Sequence, residues 1–94
     1  MKVKRLQWGG ILDVRSVADA FKALSSELAE AQEWRIDCAS VERMDTSWLQ
    51  MLVVLAQHLQ DNSGRLLLEQ VPEAVQRSWQ MAGMGLFLDQ LVDR

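Results

Sequence analysis

The apolar residues of this chain keep two rhythms that take turns along its length, and that alternation limits the possible folds more than any other feature. Stretches with a period of two, or short continuous apolar runs, suit strands; longer stretches with spacings of three and four suit helices. Residues 2–8 alternate, with Val3 and, less cleanly, Leu6 and Trp8 set among Lys2, Lys4, Arg5 and Gln7. They read as a strand near an edge, where lysines discourage pairing with other chains. Gly9-Gly10 reads as a turn, and Ile11-Leu12 as a short second strand. Residues 13–32 read as a helix: Val14, Val17, Phe21, Leu24, Leu28 and Ala31 form one stripe, and Asp13 stands where an N-cap belongs.

Residues 34–38 place Trp34, Ile36 and Cys38 between Arg35 and Asp37, a pattern for a strand in the middle of a sheet. Residues 39–44 read as a loop with Val41 pointing inward. Residues 45–60 form a second helix whose polar face is only Gln50, Gln57 and Gln60. A helix apolar around most of its girth is largely buried, or buried on one side and docked on the other. Asp61-Asn62-Ser63-Gly64 is a strong stop signal. Residues 65–69 hold Leu66-Leu67-Leu68 and read as a buried strand. Val71-Pro72 opens a third helix with Val75, Trp79 and Ala82 inside. Gly83-Met84-Gly85 breaks it, and residues 86–93 form a short final helix. The order β-β-α-β-α-β-α-α predicts one α/β domain over 1–94. Its mixed central sheet of about four strands has helices packed against it, and right-handed crossovers join the parallel pairs.

Composition narrows the function. The chain has 94 residues and a formal charge of −3. Folding at this size hides about 65% of the open chain's surface, enough for one modest core and little room for a deep substrate pocket. The ten Lys and Arg are scattered, so no nucleic-acid footprint is expected. The single cysteine, Cys38, has no internal partner for a disulfide. Residues 1–8 have no continuous apolar core of the kind a signal peptide needs. The longest apolar run, 51–56, is too short to span a bilayer. These features predict a cytoplasmic protein that is not an integral membrane protein.

The order of elements and one local motif resemble the STAS family, the fold of anti-sigma factor antagonists. The matching stretch is Ile36-Asp37-Cys38-Ala39-Ser40-Val41-Glu42-Arg43-Met44-Asp45-Thr46-Ser47-Trp48-Leu49. There a strand leads through a short connection to an Asp-hydroxyl pair that opens a helix. Gly64, Pro72 and Met81-Ala82-Gly83-Met84 match the closing pattern. The resemblance implies that Thr46 is the phosphate acceptor of a partner-switching module. It implies a protein partner: an anti-sigma or kinase-like protein, or a chemosensory protein. Thr at this position also resembles the small STAS subunit of bacterial lipid-transport ABC complexes, whose partner is the ATPase. Trp48 departs from the pattern, standing where the family usually has Gly or Ala.

Each residue so marked also has a plain structural role open to it. Thr46 at a helix start reads as an N-cap, and Asp45 as a cap or helix-dipole residue. Ser47 is a neighbouring hydroxyl. Trp48 reads first as a core aromatic; the sharper reading is an exposed anchor that, with Met51 and Leu55, makes an apolar patch beside Thr46. The expected docking face is Asp13, Arg15, Asp45, Thr46, Ser47, Trp48 and Met51. An exposed apolar second helix would equally allow a homodimer. His58 has no catalytic or metal-binding companion, Cys38 reads as an inert core thiol, and Gly9-Gly10 and Gly83-x-Gly85 match no phosphate loop. No enzyme chemistry, metal or cofactor is expected.

Overall fold

The computed structural model describes residues 2–93. Its elements in order are β1 (Val3–Leu12), α1 (Val14–Ser25), β2 (Glu33–Met44), α2 (Thr46–Asp61), β3 (Arg65–Glu69), α3 (Glu73–Met81) and α4 (Gly85–Leu88). Single 3-10 turns at Leu28–Glu30 and Asp89–Leu91 complete it. Among the described residues the sheet has three strands in the order β1-β2-β3, and both pairings are parallel.

This corrects the expected mixed sheet of about four strands. Gly9-Gly10 does not turn the chain. Gly10 takes a φ of +74°, which its missing side chain allows, and the pairing with β2 slips between Gln7 and Gly9 and again between Gly10 and Ile11. The glycines make an irregularity inside one long strand, and Ile11-Leu12 are its end. The same pairing explains why residues 39–44 are strand and not loop: Ser40, Val41, Arg43 and Met44 face Gly9, Gly10, Ile11 and Leu12. β3 pairs only with residues 33–37 of β2, so the β1–β2 ribbon runs on beyond it.

With strands added in sequence order, right-handed crossovers put α1 and α2 on one face, where they touch. The core gathers Trp34, Ile36 and Cys38 of β2, Leu66 and Leu68 of β3, seven side chains of α2 from Trp48 to Leu59, and Val75, Trp79 and Leu88. Trp79 is fully buried, and its indole N–H donates to Asp89 Oδ1 at 2.8 Å. α1 is shorter than the predicted helix. Its inward line runs through Val17, Ala20 and Leu24, which leaves Val14 and Phe21 on the flank and exposed. Ala82 lies just past the end of α3, exposed rather than inside. The final helix is only α4 and the turn after it.

Glu33, Arg35 and Glu69 form an ion cluster across β2 and β3. Arg35 reaches Glu33 at 2.7 Å, Glu69 at 3.0 Å and Asp93 at 2.6 Å, and Arg65 reaches Glu33 at 2.6 Å. The hydrogen bonds from Arg35 and Arg65 hold the Glu33 carboxyl below its ordinary pKa. Asp93 N also donates to the Leu68 carbonyl, and Val92 bridges to Leu68, so the last described residues run beside β3.

Candidate functional site

β1 and β2 end in register, Leu12 opposite Met44, and each is followed by an aspartate that caps the next helix. The two caps are joined by backbone, since Asp45 N donates to the Leu12 carbonyl at 3.0 Å. The pattern follows from the chain: a parallel strand must hand over to a helix at its carboxyl end, and Asp accepts the free amides there.

At the first cap, Asp13 Oδ1 accepts Arg15 N at 3.0 Å, and Oδ2 accepts the Arg15 guanidinium at 3.1 and 2.7 Å. Those side-chain hydrogen bonds hold the Asp13 carboxyl below its ordinary pKa, with Arg43 adding a smaller favourable charge. At the second cap, Asp45 Oδ1 accepts Ser47 N at 3.0 Å, Trp48 N at 3.4 Å and the Ser47 hydroxyl. Asp45 is thus the N-cap of α2, and Thr46 is its first helical residue. That replaces the expected capping role of Thr46 with a free one. Thr46 is exposed, and its hydroxyl has no hydrogen-bond partner among the described residues.

Trp48 ties the two helix starts together. It is 4% exposed, its indole N–H donates to the Asp13 carbonyl at 2.7 Å, and its ring meets Trp8 edge to face at 5.1 Å. Met51 and Leu55 are buried as well. The apolar surface patch that Trp48, Met51 and Leu55 might have formed therefore does not exist: one turn into α2 these side chains already face the sheet. Hydrogen bonds link Asp13, Asp45, Ser47 and Trp48, with Arg15 held on Asp13 and Thr46 next to Asp45 in the chain, while Met51 goes into the core.

Two apolar residues on this face escaped the sequence reading. Ile11 is 53% exposed and Val14 66% exposed, at the end of β1 and the first turn of α1. The one signal for Ile11 was the glycine pair before it, whose bulge resets the alternation. Val14 had none, because it fits the apolar stripe on spacing alone.

The other candidates stand apart. Cys38 is fully buried, and burial, helped by the charge of Asp37, pushes its thiol up to about 12. A thiol so placed stays protonated and unreactive. His58 is exposed near the far end of α2. Among the described residues no three His, Cys, Asp or Glu side chains stand close enough to hold a metal ion, and no helix is long and apolar enough to cross a membrane.

Known structures repeat this architecture. The anti-sigma factor antagonist SpoIIAA in its unphosphorylated form matches with a TM-score of 0.79 at 17% identity, over 96% of this chain and 78% of SpoIIAA. SpoIIAA in its phosphorylated form, described as the Bacillus cell fate determinant, matches at 0.72 and 16% identity, over 96% of this chain and 81% of its own. At such identities the likeness is one of fold. No curated protein matches the chain. The family model described as the Mlab STAS domain matches residues 2–92, nearly the whole sequence. The paired strand ends, the Asp-capped helix starts and this match together make the chain a member of the STAS domain family.

Proposed function

We propose that the chain is a regulatory protein-docking module of the anti-sigma factor antagonist type, without catalytic chemistry, and that phosphorylation of Thr46 releases its partner. The observation behind this reading is the free, exposed Thr46 hydroxyl at the start of α2, beside a rigid scaffold of two linked caps. The partner, an anti-sigma or kinase-like protein or a chemosensory protein, would meet Thr46, Ser47 and the Asp13–Arg15 pair, with Ile11 and Val14 as apolar contacts.

A phosphate on Thr46 would add about −1.5 to −2 charges. Ser47 N and Trp48 N are already held by Asp45, and the Arg15 guanidinium by Asp13, which leaves the amide of Thr46 itself as the backbone donor beside the phosphate. The new charge therefore finds few free donors within the chain and acts outward, against the docked partner. That SpoIIAA keeps a matching fold in both phosphorylation states is consistent with a switch that leaves the scaffold in place.

The test is phosphosite mapping on protein purified from its own cells, in parallel for the free pool and for the complex it co-purifies in. Phosphate on Thr46 in the free pool and none in the complex is the expected result, with Thr46→Glu losing the co-purifying protein and Thr46→Ala keeping it. Equal phosphate in both pools, with both variants retaining the partner, removes the switch.

The family match favours a second reading, because it is to the Mlab STAS domain. Here the chain is a constitutive STAS subunit of a lipid-transport ABC complex, and the same face grips the ATPase. A co-purifying nucleotide-binding subunit with a Walker motif, bound regardless of Thr46 phosphorylation, selects this reading over the first.

A further inference from the structure

Thr46 and Arg15 stand on different helices, yet one series of contacts runs from the first to the second. Asp45, next to Thr46, holds the first turn of α2 through a single oxygen, Oδ1, which takes Ser47 N at 3.0 Å and Trp48 N at 3.4 Å. The bond to Trp48 N is the longest of the series. From there the Trp48 side chain crosses to α1, where its indole N–H donates to the Asp13 carbonyl at 2.7 Å. The same carbonyl accepts Ser16 N at 3.1 Å and the Ser16 hydroxyl at 3.2 Å, so it closes the first turn of α1. The Asp13 carboxylate in turn holds Arg15. The Trp48 ring has little room to absorb a displacement, being 4% exposed and set edge to face on Trp8.

We propose that Trp48 is a relay, through which a phosphate on Thr46 loosens the start of α1 by weakening the bond from the indole to Asp13. This rests on the reading of Thr46 as a phosphate acceptor. The phosphate puts about −1.5 to −2 charges on the residue adjoining the Asp45 carboxylate. Like charges repel, and the Asp45 grip gives way first at its longer bond, to Trp48 N. A shift of the Trp48 backbone carries the packed ring with it and draws the indole off the Asp13 carbonyl. Val14 and Arg15, partner contacts in that reading, then lose their fixed place. The backbone bond from Asp45 N to the Leu12 carbonyl involves no side chain, so the strand ends stay joined and the fold persists. Release of the partner thus works through α1 as well as through charge. Trp48 acts by way of Asp13, as a positioning residue.

The test uses the full chain made by chemical ligation with phosphothreonine at position 46, beside the unmodified chain, so it needs neither kinase nor partner. Hydrogen exchange measured by NMR follows the Trp48 indole N–H, the Ser16 amide and, as a reference for global opening, the Ile36 amide in the central strand. The phosphate should speed exchange of the indole and Ser16 protons at least about threefold and leave Ile36 unchanged. In Trp48→Phe, which keeps a buried ring without the N–H, the phosphate should no longer alter the Ser16 rate. Benzothienylalanine at position 48 keeps the bicyclic ring and lacks the donor, and it gives the same comparison if the phenylalanine variant folds poorly. An indole proton that ignores the phosphate overturns the relay. So do a Ser16 response that survives without the indole N–H, and equal acceleration of all these protons, which marks general destabilisation. Phosphosite mapping decides the reading of Thr46 separately: a relay that fails here leaves that reading standing on charge alone, and a Thr46 that cells never phosphorylate leaves the relay a property of the fold.

Discussion

Asp45 and Thr46 stand side by side at the start of α2, and the geometry divides their roles. Asp45 takes the Ser47 and Trp48 amides, while Thr46 keeps a free hydroxyl. Their substitutions should separate accordingly. Asp45→Ala removes an N-cap and should cost about 0.5–2 kcal/mol. Thr46→Ala removes an exposed hydroxyl with no partner and should stay within about 0.5 kcal/mol of wild type. Urea unfolding with unchanged slopes is the measurement. A larger loss for Thr46→Ala than for Asp45→Ala would mean that the threonine is the cap and not a free acceptor. Spacing could not decide this, because adjacent Asp and Thr both suit the position; the direction in which the strand delivers the chain selects Asp45.

Among the elements, the joint between α2 and β3 leaves no room at Gly64. Gly64 N donates to the Leu59 carbonyl at 2.7 Å, and Arg65 N to the Gln32 carbonyl at 2.8 Å. A Cβ on Gly64 would press directly on the Gln32 backbone oxygen, with the Leu59 oxygen 3.2 Å away. Neither obstacle is a flexible side chain that swings aside. Gly64→Ala should therefore destabilise by about 1–3 kcal/mol, as overpacking does. In a domain of this size that lowers Tm by about 4–8 °C for each kcal/mol. A thermal melt matching wild type would show that the joint relaxes freely. The stop signal at residues 61–64 was plain in the sequence; the reason the last of them is glycine lies in the backbone of a distant segment.

At the scale of the whole molecule, the Glu33–Arg35 cluster joins β2, β3 and the last described residues. Folding lowers the Glu33 pKa, through hydrogen bonds from Arg35 and then Arg65. A carboxyl whose pKa is depressed in the folded state contributes its full stabilisation above its unfolded value, near 4.3 for Glu. That contribution is lost as pH falls through the lower folded value. Glu33→Gln should accordingly be less stable than wild type at pH 7, with the gap closing below about pH 4. Melting temperatures of both proteins across pH 2–8 check the sign, and a gap that widens on acidification contradicts it.

The sequence by itself determined the features that rest on neighbours in the chain. These are the alternation of strand and helix, the cap at Asp13, the stop before Gly64, the Pro72 entry to α3 and the apolar girth of α2. They also pointed to the turn at Asp45–Thr46, because capping and periodicity are short-range effects. What the tertiary structure alone decided depends on residues far apart. Pairing with β2 carries β1 straight through Gly9-Gly10 and makes strand of residues 39–44. The line of contact between α1 and its neighbours exposes Val14 and Phe21. The bond from Trp48 to Asp13, 35 positions away, turns a possible surface anchor into the pin between two helix starts. Backbone hydrogen bonds and burial are satisfied over the whole body at once, so spacing along the chain cannot say which side of an amphipathic stripe will be covered.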